Sequence, residues 1–113
     1  MKIHVLSDLH VEFADFDPPE TNADVVILAG DIGIGSGGIE WAASQFQTKA
    51  VIYIPGNHEY YHHDIDSIDA FRTAAPDNID VLNDYTVVLD GVRFLGSTLW
   101  TNWKRISMGQ RLW

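Results

Sequence analysis

The stretch Val25-Val26-Ile27-Leu28, followed after one alanine by Gly30-Asp31, decides how this chain folds. Four aliphatic residues run without polar interruption, whereas a strand with one face in water alternates. The run reads as a strand covered on both faces. Two β-type runs flank it, one at Ile3, Val5 and Leu6 and one at Val51-Ile52-Tyr53-Ile54. Between the second and third runs, Ile39, Ala42, Ala43 and Phe46 recur at i, i+3, i+4 and i+7, which places them on one face of a helix. Strand, helix, strand is a parallel crossover.

Further along, Asp64 is expected to cap a second helix that turns Ile65, Ile68 and Phe71 inward and ends at Pro76. Beyond it, Val81-Leu82, Thr86 to Leu89 and Val92 to Leu95 read as short strands of a meander, with Asp90-Gly91 as a two-residue hairpin turn. The expected architecture is α/β, with a parallel β-α-β core and a C-terminal β-meander. In such sheets the loops leaving the carboxyl ends of the strands share one rim, and ligand sites gather there.

With 113 residues the chain is expected to form one domain, 1–113. An apolar content of 46% with 20% charged residues excludes a disordered or membrane-spanning chain. The absence of cysteine removes disulfides, thiolate ligands and a cysteine nucleophile, so any metal must sit on oxygen and nitrogen. The start has no room for a signal peptide, which makes the cytoplasm the expected address. A net charge of −9 argues against a broad nucleic-acid surface but not against a nucleotide held through metal ions. All 16 acids lie at or before Asp90, while residues 91–113 carry four of the seven bases, Arg93, Lys104, Arg105 and Arg111. A tail of opposite sign is expected to pair with something.

The residues just past the three parallel strands carry the chemistry. Asp8 and His10 follow the first, Asp31 the second, and Asn57 and His58 the third. Asp8 and His10, two apart in extended chain, point the same way and suit one cation. Asp31 has an oxygen for each of two cations, and the Asn57 carbonyl is a neutral ligand for the second. Imidazole, carboxylate and amide without sulfur favour manganese, iron, zinc or cobalt.

Ser7-Asp8-Leu9-His10, Gly30-Asp31 and Gly56-Asn57-His58-Glu59, each behind an apolar strand, together resemble the calcineurin-like metallophosphoesterase family. Leu95-Gly96-Ser97-Thr98-Leu99-Trp100-Thr101 also resembles a strand of its bacterial members. The resemblance implies an αββα sandwich and a hydrolase, a phosphatase in the broad sense, acting on a phosphorylated small molecule or nucleotide. It implies two divalent cations, one on Asp8, His10 and Asp31 and one on Asp31 and Asn57, with His58 beside the substrate phosphate. Such cations clamp the phosphoryl oxygens and lower the pKa of a bound water, whose hydroxide attacks phosphorus in line. His58 then stabilises the transition state or protonates the leaving oxygen.

The family's two later motifs, a GH and a GHxH, are absent from residues 1–113. The first cation keeps three ligands by that count, and the second keeps two. The chain is thus expected to stop short of a complete site and to show weak activity or none alone. Leu99, Trp100, Trp103, Leu112 and Trp113 would lack cover, which suggests self-association through the Trp100 to Trp113 tail.

Other readings compete. Gly33, Gly35 and Gly38 spell G-x-G-x-x-G between a strand and a helix, the layout of a dinucleotide-binding turn. Against it, Pro55-Gly56-Asn57 stands where the ribose-binding acid belongs, and Asp31 puts negative charge where pyrophosphate would lie. A third reading is a non-catalytic fragment or interaction module with a partial metal site. Glu59 either orients a histidine or is an ordinary surface acid. His4, His62 and His63 read as structural, and Tyr60 and Tyr61 as packing beneath the loop.

Overall fold

A computed structural model of the chain describes residues 1–61 and 67–99. The elements run β1 (Ile3–Leu6), β2 (Val25–Ala29), α1 (Gly37–Gln45), β3 (Ala50–Ile54), a single 3₁₀ turn (His58–Tyr60), α2 (Ile68–Ala74), β4 (Ile79–Val81), β5 (Tyr85–Leu89) and β6 (Val92–Gly96). β1 to β4 form one sheet in that order, and β5 pairs with β6 in a separate two-stranded sheet.

Every pairing in the larger sheet is parallel, with Val25 opposite Ile3 on one side and Ala50 on the other. Alternate residues of the deciding run therefore serve two cores. Val26 and Leu28 join Val51, Tyr53, Ile79 and Val81 beneath Ile39, Ala42, Phe46 and Phe71 of the helical layer. Val25 packs with Ile52 and Leu82, and Ile27 and Ile54 of the sheet and Val87, Leu89 and Phe94 of the hairpin pack against that cluster. A strand buried on both faces has no use for polar alternation. The layers are helix, parallel sheet, hairpin, a mixed α/β arrangement consistent with a metallophosphoesterase-type fold.

One element falls elsewhere than expected. Ile79–Val81 pairs parallel with β3, so it is the fourth strand of the main sheet and not the opening of a meander. The cause is α2, which provides a second crossover and returns the chain alongside β3. Leu82 prolongs the ladder by donating its N–H to the Tyr53 carbonyl at 2.9 Å. The meander reduces to the β5–β6 hairpin, whose turn residues Asp90 (φ 49°) and Gly91 (φ 75°) both have positive φ. That is the signature of the two-residue turn whose twist matches its strands.

α2 carries Ile68 and Phe71, while the expected cap Asp64 and Ile65 lie outside the described residues. It ends at Ala75, extended at ψ 133° as a residue before proline must be. The apolar faces are incompletely covered: Val5 of the edge strand is 59% exposed, Leu95 74% and Leu99 90%. Trp100, Trp103, Leu112 and Trp113, with the proposed contact surface, lie outside the described residues. Among the described residues, no helix is long and apolar enough to cross a membrane.

Candidate metal centre

The segments leaving β1 and β2 run side by side past the sheet. Asp8 N–H donates to the Gly30 carbonyl (2.9 Å), His10 N–H to Asp31 (3.2 Å) and Val11 N–H to Ile32 (2.8 Å). Asp8 (φ 55°), His10 (φ 49°) and Asp31 (φ 54°) all adopt the left-handed conformation, unfavourable for any residue with a Cβ. Each such residue costs on the order of 1–3 kcal/mol and persists only where its surroundings enforce it. The grouping of Asp8 with His10 thus comes from successive left-handed turns, and not from the extended chain expected.

These turns bring three candidate ligands together. One donor atom each from Asp8, His10 and Asp31 lies within 4.8 Å of the others, and a second group within the same limit joins His10 to Glu12 and His58. Among the described residues, buried His10 Nδ1 makes no hydrogen bond, with Glu12 Oε1 3.5 Å away, an arrangement that costs free energy unless something binds there. Oxygen and nitrogen donors in this geometry fit a divalent cation.

His58 opens the 3₁₀ turn, and its N–H donates to Asp31 Oδ1 at 2.9 Å. Its Nε2 lies 2.6 Å from Glu12 Oε1. Its ring stands edge-on to that of His10, with centroids 4.6 Å apart at 88°. Partial desolvation alone would raise the Glu12 pKa. Hydrogen bonds from its own backbone N–H and from His58, together with the His58 charge, outweigh it and hold the carboxyl below its ordinary value. Asn57 is half-buried between two residues that touch Asp31. On one side is His58; on the other, a Cβ on Gly56 would lie 2.3 Å from Asp31 Oδ1, so only glycine fits.

Beneath the rim lies Glu59, completely buried. Its Oε1 accepts the N–H groups of Asp31 (2.9 Å) and Gly56 (2.7 Å). Its Oε2 accepts those of Ile32 (2.7 Å) and Gly33 (3.0 Å) and the Tyr53 hydroxyl (2.8 Å). Burial first, and then the Glu59 charge, push the Tyr53 pKa well above its ordinary value. The glycines of the G-x-G-x-x-G run belong to this arrangement. A Cβ on Gly38 would lie 2.1 Å from the Tyr53 hydroxyl, and one on Gly33 would lie 2.8 Å from the Gly38 nitrogen. The Gly33 amide, which a dinucleotide-binding turn would offer to phosphate, is already donated to Glu59.

The family model of the calcineurin-like phosphoesterases matches residues 1–112. The chain belongs to that family. It is 32% identical over 127 aligned residues to an uncharacterized protein of Acanthamoeba polyphaga mimivirus, an alignment covering 88% of this chain and 44% of that one. It is 33% identical over 112 residues to an uncharacterized metallophosphoesterase of Helicobacter pylori, covering 85% of this chain and 29% of that one. The chain therefore spans less than half the length of these relatives. No solved structure gives a significant match.

Calcineurin-like phosphoesterases are metal-dependent and typically dinuclear, and this member brings Asp8, His10 and Asp31 together with His58 close by. Glu12 is the residue that sequence reasoning missed. It stands two places after His10, continuing the spacing of Asp8 and His10, and that register was the available signal. Glu59 is neither a surface acid nor, among the described residues, the partner of a histidine: it is buried and accepts four backbone amides and the Tyr53 hydroxyl. Tyr60 packs beneath the loop as expected, whereas Tyr61 is 48% exposed, its ring 4.5 Å from that of His58. His62 and His63 lie outside the described residues.

Proposed function

We propose that this phosphoesterase chain hydrolyses a phosphomonoester or phosphodiester of a small molecule or nucleotide through the rim of β1 to β3. Asp8, His10 and Asp31 hold the first divalent cation. Asp31 and Asn57 provide part of a second site that needs further ligands. When bound, such cations polarise the phosphoryl group and activate a water molecule, with manganese the first to test.

The protein's own part in catalysis falls to His58. Its Nε2 faces Glu12 Oε1 at 2.6 Å, and the carboxylate fixes the ring. An imidazole oriented in this way can act as the general acid that a departing alkoxide requires. Asp31 Oδ1, fixed by the His58 amide, keeps the imidazole and the metal ligands in register.

The convergence of one donor atom each from Asp8, His10 and Asp31 carries this reading, with His10 Nδ1 buried and making no hydrogen bond among the described residues. It is tested by titrating the chain with Mn²⁺ and assaying generic aryl phosphomonoesters and phosphodiesters. Binding is expected, with weak turnover or none that is lost in His58→Ala. Comparable turnover by this chain and a longer one carrying the GH and GHxH motifs would overturn the claim that the second site is deficient. Binding with no turnover in either would favour a non-catalytic module.

A further inference from the structure

We infer that Glu59 is a positioning residue that sets the metal affinity of the rim, by clamping the backbone of Asp31 to the backbone that precedes Asn57 and His58. The inference rests on the reading of Asp31 as a cation ligand.

With Gly30 at φ 90° and Asp31 at φ 54°, the amides of Asp31, Ile32 and Gly33 all point to one place. Successive N–H groups turned inward by left-handed residues form a concavity that attracts an anion. Here the anion is the chain's own carboxylate. It accepts five hydrogen bonds, whereas a carboxylate offers about four lone-pair sites. Its accepting capacity is filled, which leaves nothing for a cation or a histidine. Glu59 therefore acts on the metal site only through the backbone it holds.

That backbone is the part that matters. Oε1 joins the loop after β2 to the loop after β3 through Asp31 N–H and Gly56 N–H, and Oε2 adds Ile32 N–H and Gly33 N–H. The same two loops meet again where His58 N–H donates to Asp31 Oδ1. Without the buried acceptor, the left-handed Asp31 loses its support, and its carboxylate no longer has a fixed place opposite Asp8 and His10. Partners that orient metal ligands typically govern about 10- to 100-fold in affinity. Glu59→Gln has nearly the same shape, but its amide nitrogen would confront some of these five donors with another donor.

The test measures Mn²⁺ affinity calorimetrically for the wild-type chain, Glu59→Gln and Tyr53→Phe, well below their unfolding temperatures. Amide hydrogen exchange is followed in parallel without metal. Glu59→Gln is expected to bind Mn²⁺ at least about tenfold more weakly, with faster exchange at Asp31, Ile32, Gly33 and Gly56. Tyr53→Phe removes one hydrogen bond from Oε2, and a loss of roughly two- to tenfold is expected, the share of a single bond. Should Glu59→Gln fail to fold, Tyr53→Phe decides the question. Wild-type affinity in a folded variant overturns the inference. A wild-type chain that takes up no Mn²⁺, while the four amides still depend on Glu59, overturns the metal reading and this inference with it.

Discussion

The rim and the hairpin use the same unusual backbone for different ends. Asp8, His10 and Asp31 on the rim have φ between 49° and 55°, and so does Asp90 in the hairpin turn. In the hairpin the conformation is a local matter. Asp90 and Gly91 join the paired residues Leu89 and Val92, and among the described residues nothing lies within 4 Å of where a Cβ on Gly91 would be. On the rim each left-handed residue bonds to a different segment, Asp8 to Gly30, His10 to Asp31, and Asp31 to Glu59. Turn strain in the hairpin is relieved by its own two strands, whereas on the rim it is held by the assembled fold.

The sharpest way to break this contrast is Gly56→Ala. The new Cβ would meet Asp31 Oδ1 at 2.3 Å and the Asp31 backbone nitrogen at 2.7 Å, so a loop must move and not merely a side chain. A loss of about 2–3 kcal/mol in urea unfolding is expected, in the upper range for overpacking, with at least tenfold weaker Mn²⁺ binding. Wild-type stability would show that the two loops are not held at this spacing. Gly38→Ala should cost less, about 1–2 kcal/mol, because the clash is with the end of the Tyr53 side chain. Tyr53 would leave Glu59, so this variant should weaken Mn²⁺ binding as Tyr53→Phe does. Gly91→Ala is the control from the other region. Only its φ of 75° is unfavourable, so about 1 kcal/mol is expected, with Mn²⁺ affinity unchanged. A change in affinity there would couple the hairpin turn to the rim and dissolve the distinction.

The same contrast explains what was legible beforehand. Asp90-Gly91 announces its turn because the cause and the effect occupy the same residues. The burial of Val25 to Leu28 on both faces was legible for the same reason, since absent alternation is a property of the run itself. That Asp8, His10, Asp31 and His58 lie close together was legible because three strand ends share a rim, although the left-handed turns that gather the first three could not be foreseen. The sequence points to Val81-Leu82 as a meander strand, not to Ile79–Val81 in the parallel sheet, because that strand is short and its partner β3 is fixed only by the helix between them. The role of Glu59 was the least accessible. Four of its five partners are backbone amides, which any sequence would supply, so nothing in the residue types marks them.

The smallest effect at neutral pH, and the most specific to the rim, concerns the titration of Tyr53. Its hydroxyl donates to Glu59 Oε2, and burial and the adjacent negative charge raise its pKa well above 10.0. In the unfolded chain it ionises near that ordinary value, so above about pH 10 the unfolded state releases a proton that the folded state keeps. The contribution is therefore fully present below the unfolded pKa and is lost progressively as pH rises from there through the folded pKa. The slope for one such group is at most about 1.4 kcal/mol per pH unit. Tyr53→Phe removes the hydroxyl, so the metal-free stability difference between wild type and variant should be constant from pH 7 to 9 and shrink above 10. The other tyrosines titrate in both chains and cancel in that difference. A difference that stays level through pH 11 would mean that Tyr53 ionises as readily in the folded chain as in the unfolded one. The hydroxyl would then not be shielded against the Glu59 carboxylate, and the rim would have lost one of the buried contacts that distinguish it from the hairpin.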